Sequence, residues 1–208
     1  AELDYCRIVT CEGSQIRPLE NPFRHRIVFY GSSYTHGVGV TRPGMTYPSQ
    51  FGRHTGLEVI SLGMNGHCRM QSYISRALCD VKADAFVFDT FSNSNGNLIR
   101  ERLFPFIEEM RSAHPGVPLI FQQSIFCLKA KYNSGTFRFK DSSMGAAREL
   151  MREAVRKYPD VYFIVPSHEE PGVETTTDGS HPDNYGYTIW SRSIEAPILD
   201  ILSLYGIR

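Results

Sequence analysis

The sequence predicts a single α/β domain built around a five-stranded parallel sheet. Three observations support this prediction. Five short apolar or β-branched runs recur along the 208 residues, which is typical of strands that are buried on both faces. Segments with apolar side chains three and four positions apart separate these runs, as expected for helices. Strands that alternate with helices favour a parallel sheet with helices on both sides, and the chain length suits one core.

The first half of the chain supplies three strands and the helices between them. Residues 1–25 have no sustained periodicity and are interpreted as an N-terminal arm or the stump of a linker, so the folded domain is placed at 26–208. The run "RIVFY" is the first strand, and Gly56 is expected to end the helix that follows it. In order, we predict a strand at 26–30, a helix at 47–56, a strand at 57–63, a helix at 69–81 and a strand at 84–91.

The second half continues the alternation of helices and strands. Pro105 should bend the next helix or mark its first turn, since proline lacks an N–H donor, and the last helix is expected to break near Pro197. Residues 126–140 are interpreted as a longer connection, and a Gly/Pro/Glu/Thr-rich loop follows the fifth strand. We predict a helix at 97–116, a strand at 117–124, a helix at 141–159, a strand at 161–165 and a helix at 184–206.

The composition excludes several classes of protein. The 22 basic and 22 acidic side chains cancel, which argues against a nucleic-acid-binding protein. No apolar run approaches the roughly 20 residues that span a bilayer. The five cysteines form no CxxC pair, which argues against a zinc ribbon. Because the first residue is Ala rather than Met, the absence of a secretion signal leaves both a cytoplasmic location and export after removal of a leader open.

Four polar, glycine-rich turns fall at the same predicted edge of the sheet. The turn "GSS" follows the first strand, "GMNGH" the second and "SNSN" the third, and "DGSH" lies in the loop after the fifth. Reactive groups in such folds gather at the carboxyl ends of the strands. We therefore expect these four turns to meet at one site.

Together these turns contain the groups that acyl transfer by serine requires. The hydroxyl needs a base, the base needs an orienting acid, and the developing oxyanion needs preorganised donors. Asp178 lies three residues before His181, so its carboxylate can reach one ring nitrogen and leave the other to face a serine of "GSS". Gly66 can bring a backbone N–H close to a bound ester, and Asn93 offers a neutral amide donor.

The first of these turns resembles a known motif. Block one of the SGNH/GDSL hydrolase superfamily reads G-D-S-x-T-x-G, and "GSSYTHG" matches it at every defined position except that Ser32 replaces Asp. Only Ser33 places Thr35 and Gly37 in register with this motif. The resemblance therefore selects Ser33 over Ser32 as the nucleophile.

The other turns match later blocks of the same superfamily in the same order, over about residues 26–205. The stretch "ISLGMNGH" places Gly66 on the oxyanion glycine of block two. Block three matches only at Asn93, because Phe91 and Ser94 replace its flanking Gly and Asp. The stretch "DGSHPDNYGY" matches block five throughout.

The resemblance implies a three-layer α/β/α sandwich of the flavodoxin-like SGNH hydrolase type, with no metal and no cofactor. It implies a serine esterase in which Ser33 attacks the ester and His181 is the base. Asp178 would orient His181. The N–H groups of Ser33 and Gly66 and the amide of Asn93 would bind the oxyanion.

Similarity to a bacterial GDSL-like lipase/acylhydrolase subgroup, in "FYGSS", "RPGMTYPSQ" and "RSAHPGVPLI", implies a β-rich domain before this one. The substrate expected by analogy is a small acyl ester, such as an acetyl ester on a carbohydrate. Two alternatives stay open. One is an acyltransferase that uses a sugar or natural-product hydroxyl, and the other is a catalytically dead carbohydrate-binding module.

Five further residues are candidates for contact with the substrate. Three of them have an alternative role: Ser32 as a turn former, and the two histidines as exposed loop residues. A phenylalanine in place of the block-three glycine would narrow the pocket or stack against an acyl or sugar group. The candidates are Ser32, Tyr34, His36, His67 and Phe91.

Overall fold

A computed structural model describes residues 5–125, 127–166 and 173–208. Its sheet has five parallel strands in the order β2-β1-β3-β4-β5. This order places β1 and β3 side by side in the sheet, and the predicted fold class is confirmed. The strands are β1 at Arg26–Gly31, β2 at Glu58–Gly63, β3 at Ala85–Asp89, β4 at Leu119–Gln122 and β5 at Val161–Ile164.

Helices cover both faces of the sheet. Helices α3, α4 and α5 pack on one face and α2 and α6 on the other, whereas the short α1 follows β1 at the end of the sheet. The helices of the described residues are α1 at Ser33–His36, α2 at Tyr47–Thr55, α3 at Ser72–Cys79, α4 at Gly96–Ala113, α5 at Ser134–Lys157 and α6 at Asn184–Ser203.

Alternate residues of each strand enter one of two buried clusters, because successive side chains of a strand point to opposite faces. In β1, Val28 faces the α3–α5 layer, and Ile27 and Phe29 face α2 and α6. The α3–α5 side is rich in aromatic rings, and Phe88 lies 4.7 Å from Phe121 between ring centroids. The two apolar clusters make the arrangement a three-layer sandwich.

Two helix starts differ from the sequence prediction. Helix α5 begins at Ser134 rather than 141, because the side chain of Asn133 caps it by accepting a hydrogen bond from Thr136 N at 2.8 Å. Helix α3 begins at Ser72 rather than 69. Met70 there has a φ of +51°, which is incompatible with a right-handed helix.

Neither internal proline interrupts its helix. Pro105 lies inside α4 rather than in its first turn, and Pro197 lies inside α6. The predicted break near Pro197 was therefore wrong.

Several predicted segments fall partly or wholly outside these helices and strands. In the predicted arm, residues 5–25 contain no helix or strand and residues 5–24 are exposed, and its interpretation as a linker remains a prediction. Phe126 of the predicted connection and residues 167–172 of the loop after β5 lie outside the described residues. No helix in the described ranges is long and apolar enough to cross a membrane.

Replacement of Phe88 by alanine tests this packing. Phe88 is fully buried, and its ring also lies 5.2 Å from that of Phe106. The substitution should lower the free energy of unfolding by about 3–5 kcal/mol, because it removes apolar contacts and leaves a cavity. Urea unfolding followed by circular dichroism measures this change. Tyr132→Ala, at a ring that is 81% exposed, should change it by about 0.5 kcal/mol or less. Equal unfolding midpoints for the two variants would contradict this packing.

Candidate active site

The turn after β1 brings Ser33 to the carboxyl edge of the sheet. Gly31 is required there, since a Cβ would overlap Thr35 Oγ1 and come within 2.8 Å of Asp89 Cβ. Ser33 then begins α1, and Gly37 caps the C-terminus of this helix with a φ of +85°, a conformation that glycine adopts without strain. The chain thus reverses within a few residues and leaves Ser33 at the point of the turn.

A chain of hydrogen bonds joins Ser33, His181 and Asp178. His181 Nε2 lies 3.0 Å from Ser33 Oγ, and His181 Nδ1 lies 2.8 Å from Asp178 Oδ2. A carboxylate only accepts hydrogen bonds, so Nδ1 carries the ring hydrogen of a neutral His181. Nε2 then presents its lone pair to the hydroxyl of Ser33. The structure brings together three residues that the sequence places up to 148 positions apart.

Backbone contacts hold the loop of His181 in place. The carbonyl of His181 accepts hydrogen bonds from Thr177 N at 3.0 Å and from Thr176 Oγ1 at 2.7 Å. The carbonyl of Gly179 accepts one from Lys129 N at 2.7 Å. The threonines lie close to His181 in sequence, but no pattern in the sequence pairs Lys129 with this loop.

The carboxyl group of Asp178 is an unusually strong acid. Partial burial raises its pKa, but hydrogen bonds outweigh this effect and hold the pKa at about 2. Asp178 Oδ1 accepts from the backbone N–H groups of Ser180 at 2.8 Å and His181 at 2.7 Å, and Oδ2 faces the His181 ring. Asp178 therefore stays ionised and keeps the ring oriented throughout the neutral and mildly acidic range.

The second and third turns meet at Asn93. Asn93 Oδ1 accepts a hydrogen bond from Cys68 N at 3.3 Å, so the oxygen of the amide is engaged and its NH₂ group is directed away from this contact. Gly66, two residues before Cys68, lies in the same turn with a φ of +70°. Gly66 and Asn93, two of the three predicted oxyanion donors, thus lie in turns that one hydrogen bond joins.

Tyr34 supports the imidazole from the side. Its ring lies 5.7 Å from that of His181 and 5.3 Å from that of Trp190 between centroids. Lys140 Nζ lies 5.3 Å from the centroid of the Tyr34 ring and 3.4 Å from its hydroxyl. Burial raises the pKa of Tyr34 and lowers that of Lys140. Lys140 and Trp190 were not among the predicted site residues, because they lie in α5 and α6 and outside the four polar turns.

The remaining predicted contacts divide into buried and exposed residues. Ser32 and Phe91 are fully buried, so neither can contact a substrate in this structure, and both are removed from the candidates. Phe91 packs on Phe121 with ring centroids 6.1 Å apart. His36 and His67 are exposed near the same edge of the sheet, and their contact with a substrate remains a prediction.

Across the described ranges, no group of three or more His, Cys, Asp or Glu side chains is placed to hold a metal ion.

The fold and the order of its turns define an SGNH/GDSL hydrolase. Within that class the chain belongs to the GDSL-like lipase/acylhydrolase family, whose profile matches residues 24–199. A Bacteroides ovatus protein of the GDSL-like lipase type is 30% identical, with a TM-score of 0.84. The alignment covers 93% of this chain and 58% of that protein, so this chain spans less than two thirds of its relative. No curated protein matches the chain.

More distant solved structures share the fold. A salicylyl-acyltransferase from a tetracycline biosynthetic pathway is 21% identical with a TM-score of 0.65, over 86% of this chain and 55% of that one. A family two carbohydrate esterase from Clostridium thermocellum, solved with cellohexaose, is 15% identical with a TM-score of 0.68, over 91% of this chain and 68% of that one. At these identities the likeness shows the fold alone.

The lowered pKa of Asp178 gives a prediction for titration. Because the folded pKa lies below the ordinary value of about 4, the stability that this carboxylate contributes is present above about pH 4 and lost as the pH falls through about 2. Carbon-13 NMR of the carboxyl group should report a pKa of about 2 in the intact protein. In His181→Ala the ring is lost but two backbone hydrogen bonds remain, so the pKa should rise and stay below about 4. An ordinary pKa in the intact protein would contradict this geometry.

Proposed function

We propose that the protein is a serine esterase that releases a small acyl group from an ester. The observation that carries this proposal is the continuous chain from Ser33 Oγ through His181 to Asp178, with distances of 3.0 and 2.8 Å. It lies at the carboxyl edge of a parallel sheet, where such folds place their reactive groups. Membership of the GDSL-like lipase/acylhydrolase family supports the same reaction class.

In the proposed first half-reaction, Ser33 Oγ attacks the ester carbonyl while His181 Nε2 removes the hydroxyl proton. The carbonyl oxygen becomes an oxyanion, and Asp178 stabilises the imidazolium that forms. The imidazolium then protonates the leaving alcohol, and the acyl group stays on Ser33 as an ester. In the second half-reaction His181 deprotonates water, the hydroxide attacks the acyl-enzyme, and Ser33 recovers its proton as the acid leaves.

Three donors are proposed to bind the oxyanion. Ser33 is the first residue of α1, where a backbone N–H has no partner within the helix. The N–H of Gly66 makes no hydrogen bond within the described part of the chain. Asn93 has its amide oxygen engaged by Cys68, which leaves the NH₂ group to donate. Preorganised donors of this kind are typically the largest single term in acyl-transfer catalysis.

For the substrate we propose an acetyl ester on a carbohydrate. The support is that two family two carbohydrate esterases, from Cellvibrio japonicus and Clostridium thermocellum, share this fold at TM-scores of 0.67 and 0.68. Acyl transfer to another hydroxyl would use the same acyl-enzyme with an alcohol in place of water. Product analysis with acetylated xylo- or cello-oligosaccharides, with and without a competing alcohol, separates hydrolysis from transfer.

Replacement of Ser33 by alanine tests the nucleophile. The intact protein should hydrolyse p-nitrophenyl acetate and be labelled by a fluorophosphonate, with the label mapped to Ser33 by mass spectrometry. Ser33→Ala should lose labelling and at least about 10³-fold in kcat, because no hydroxyl remains to form the acyl-enzyme. Ser203→Ala is the matched control, since it removes an exposed serine at the end of α6 and should retain both activities.

The outcomes test the assignment of the nucleophile and distinguish an enzyme from a binding module. Full turnover by Ser33→Ala, or a label on Ser32, would refute the assignment of the nucleophile. Absence of both labelling and turnover in the intact protein would favour a binding module on the same fold.

Replacement of Asn93 by alanine tests the oxyanion donors. Loss of one such donor should lower kcat by about 10²–10³-fold and leave KM nearly unchanged, since the bond strengthens as the oxyanion forms. Steady-state kinetics with p-nitrophenyl acetate measures both constants. Asn97→Ala removes an exposed asparagine near the start of α4 and should behave as the intact protein. A kcat for Asn93→Ala equal to that of this control would exclude Asn93 from the oxyanion site.

A further inference from the structure

A second carboxylate lies beneath the proposed site. Asp89 ends β3 and is fully buried. Its Oδ2 accepts hydrogen bonds from Ser32 Oγ at 2.6 Å and from Ser32 N at 3.3 Å, and its Oδ1 accepts one from Ser92 Oγ at 2.9 Å. Asp89 thus connects the turn that carries Ser33 with the turn that carries Asn93.

The main chain of Asp89 also contacts the turn that follows β2 and carries Gly66. Its carbonyl accepts a hydrogen bond from Cys68 Sγ at 3.5 Å, while Cys68 N donates to Asn93 Oδ1 at 3.3 Å. One residue therefore contacts the three turns that follow β1, β2 and β3. These are the turns that carry Ser33, Gly66 and Asn93.

A carboxylate in this position is costly, because burial removes its hydration. Within the part of the chain that the structure describes, no cation pairs with Asp89, and the charge of buried Lys140 acts on it only from beyond ion-pair distance. Burial raises the pKa of Asp89, and hydrogen bonds from Ser32 and Ser92 oppose that rise. Groups kept against such a cost are concentrated at functional sites.

The hydrogen bond between Ser32 and Asp89 involves the one position at which this chain departs from the G-D-S-x-T-x-G motif. The acidic residue of G-D-S-x-T-x-G corresponds to position 32, where this chain has a serine. The hydroxyl of Ser32 donates to Asp89, 57 positions further along the chain. The turn itself lacks a carboxylate, but one supplied by β3 lies within 2.6 Å of the side chain at position 32.

We propose that Asp89 is a positioning residue that takes over the role of an acidic residue at position 32 and holds Ser33 in register with Asn93. The inference rests on the proposed esterase function and deepens it. Asp89 acts through Ser32 and Ser92 and does not itself meet the substrate. A displacement of about 1 Å at a reacting atom can cost about 100-fold in rate, so this positioning is measurable.

The first test is Asp89→Asn, which keeps the shape of the side chain and removes its charge. An amide accepts at one end only, so either Ser32 or Ser92 loses its acceptor. We expect kcat for p-nitrophenyl acetate to fall about 10–100-fold, KM to change less than about twofold, and the melting temperature not to fall, since a buried charge is removed.

The control for this variant is Ser191→Ala, which removes a fully buried serine hydroxyl without a hydrogen-bond partner in the described residues. It should keep the kcat of the intact protein. A merely structural role for Asp89 predicts the opposite pattern, with a lower melting temperature and an unchanged kcat for the folded fraction. Such a pattern, or an unchanged kcat in Asp89→Asn, would overturn the proposal.

The second test moves the carboxylate back. In the double variant Ser32→Asp with Asp89→Ser, the hydroxyl and the carboxylate exchange ends of the same contact. It should exceed Asp89→Ser alone by at least about tenfold in kcat, whereas Ser32→Asp alone places two carboxylates together and should be impaired. No rescue in the double variant would refute the relocation. If the Asp89 variants do not fold, Ser32→Ala provides the test, because it removes the same 2.6 Å contact from the side of the turn. Its kcat should fall about tenfold, and an unchanged kcat would refute the proposal.

A crystal structure of Asp89→Asn provides a readout that needs no turnover. The distance from Ser33 Oγ to His181 Nε2, 3.0 Å in the intact protein, should lengthen beyond hydrogen-bonding range. An unchanged distance would refute the positioning role even if the protein proved not to be an esterase. Lack of turnover and labelling in the intact protein, together with a displaced Ser33 in the variant, would refute the esterase and uphold the positioning.

Discussion

The register of three parallel strands is the constraint on which the site depends. Gly31 of β1 lies directly opposite Gly63 of β2 and Asp89 of β3, so all three strands end at one level. Neither glycine leaves room for a Cβ, since one at Gly31 would overlap Thr35 and one at Gly63 would overlap the backbone of His36. The turns can therefore pack directly on the strand ends. A shift of one residue in any of these strands would separate the proposed nucleophile from its oxyanion donors.

The end of the sheet is filled by a polar network rather than by apolar side chains. Asp89 accepts a hydrogen bond from Thr35 Oγ1, which in turn lies 2.8 Å from the Tyr47 hydroxyl. That hydroxyl accepts a hydrogen bond from Gln122 Nε2 at 2.7 Å, and Gln122 Oε1 accepts one from Trp190 Nε1 at 3.1 Å. The network joins β3 to α2, β4 and α6. Buried polar groups of this kind rigidify a structure when every member is paired. The layers that form the core thus also orient the turn of Ser33.

The sequence was sufficient to predict the alternation of strands and helices, since periodicity is a local property. It also indicated Ser33, Asp178 and His181, because each lies in a short motif of defined spacing. It did not indicate the role proposed for Asp89, whose partner Ser32 is 57 positions away. It could not show that Phe91, in place of a motif glycine, turns into the core instead of the pocket. Residue type and spacing specify local geometry, whereas the direction and the burial of a side chain depend on contacts that only the folded chain makes.

The site consists of two halves, the turn of Ser33 and the loop of His181, which meet at the hydrogen bond between Ser33 Oγ and His181 Nε2 and at the ring of Tyr34. The half with Ser33 is rigid because it is buried, and Ser33 itself is only 6% exposed. The half with His181 lies at the surface, where the Asp178 side chain is 53% exposed, and its order comes from backbone hydrogen bonds instead. These different surroundings suit different tasks, since an exposed carboxylate stays ionised without a buried counterion, whereas a buried turn holds the proposed nucleophile in one position. A displacement of either half therefore changes the distance between Ser33 Oγ and His181 Nε2, where the proposed chemistry begins.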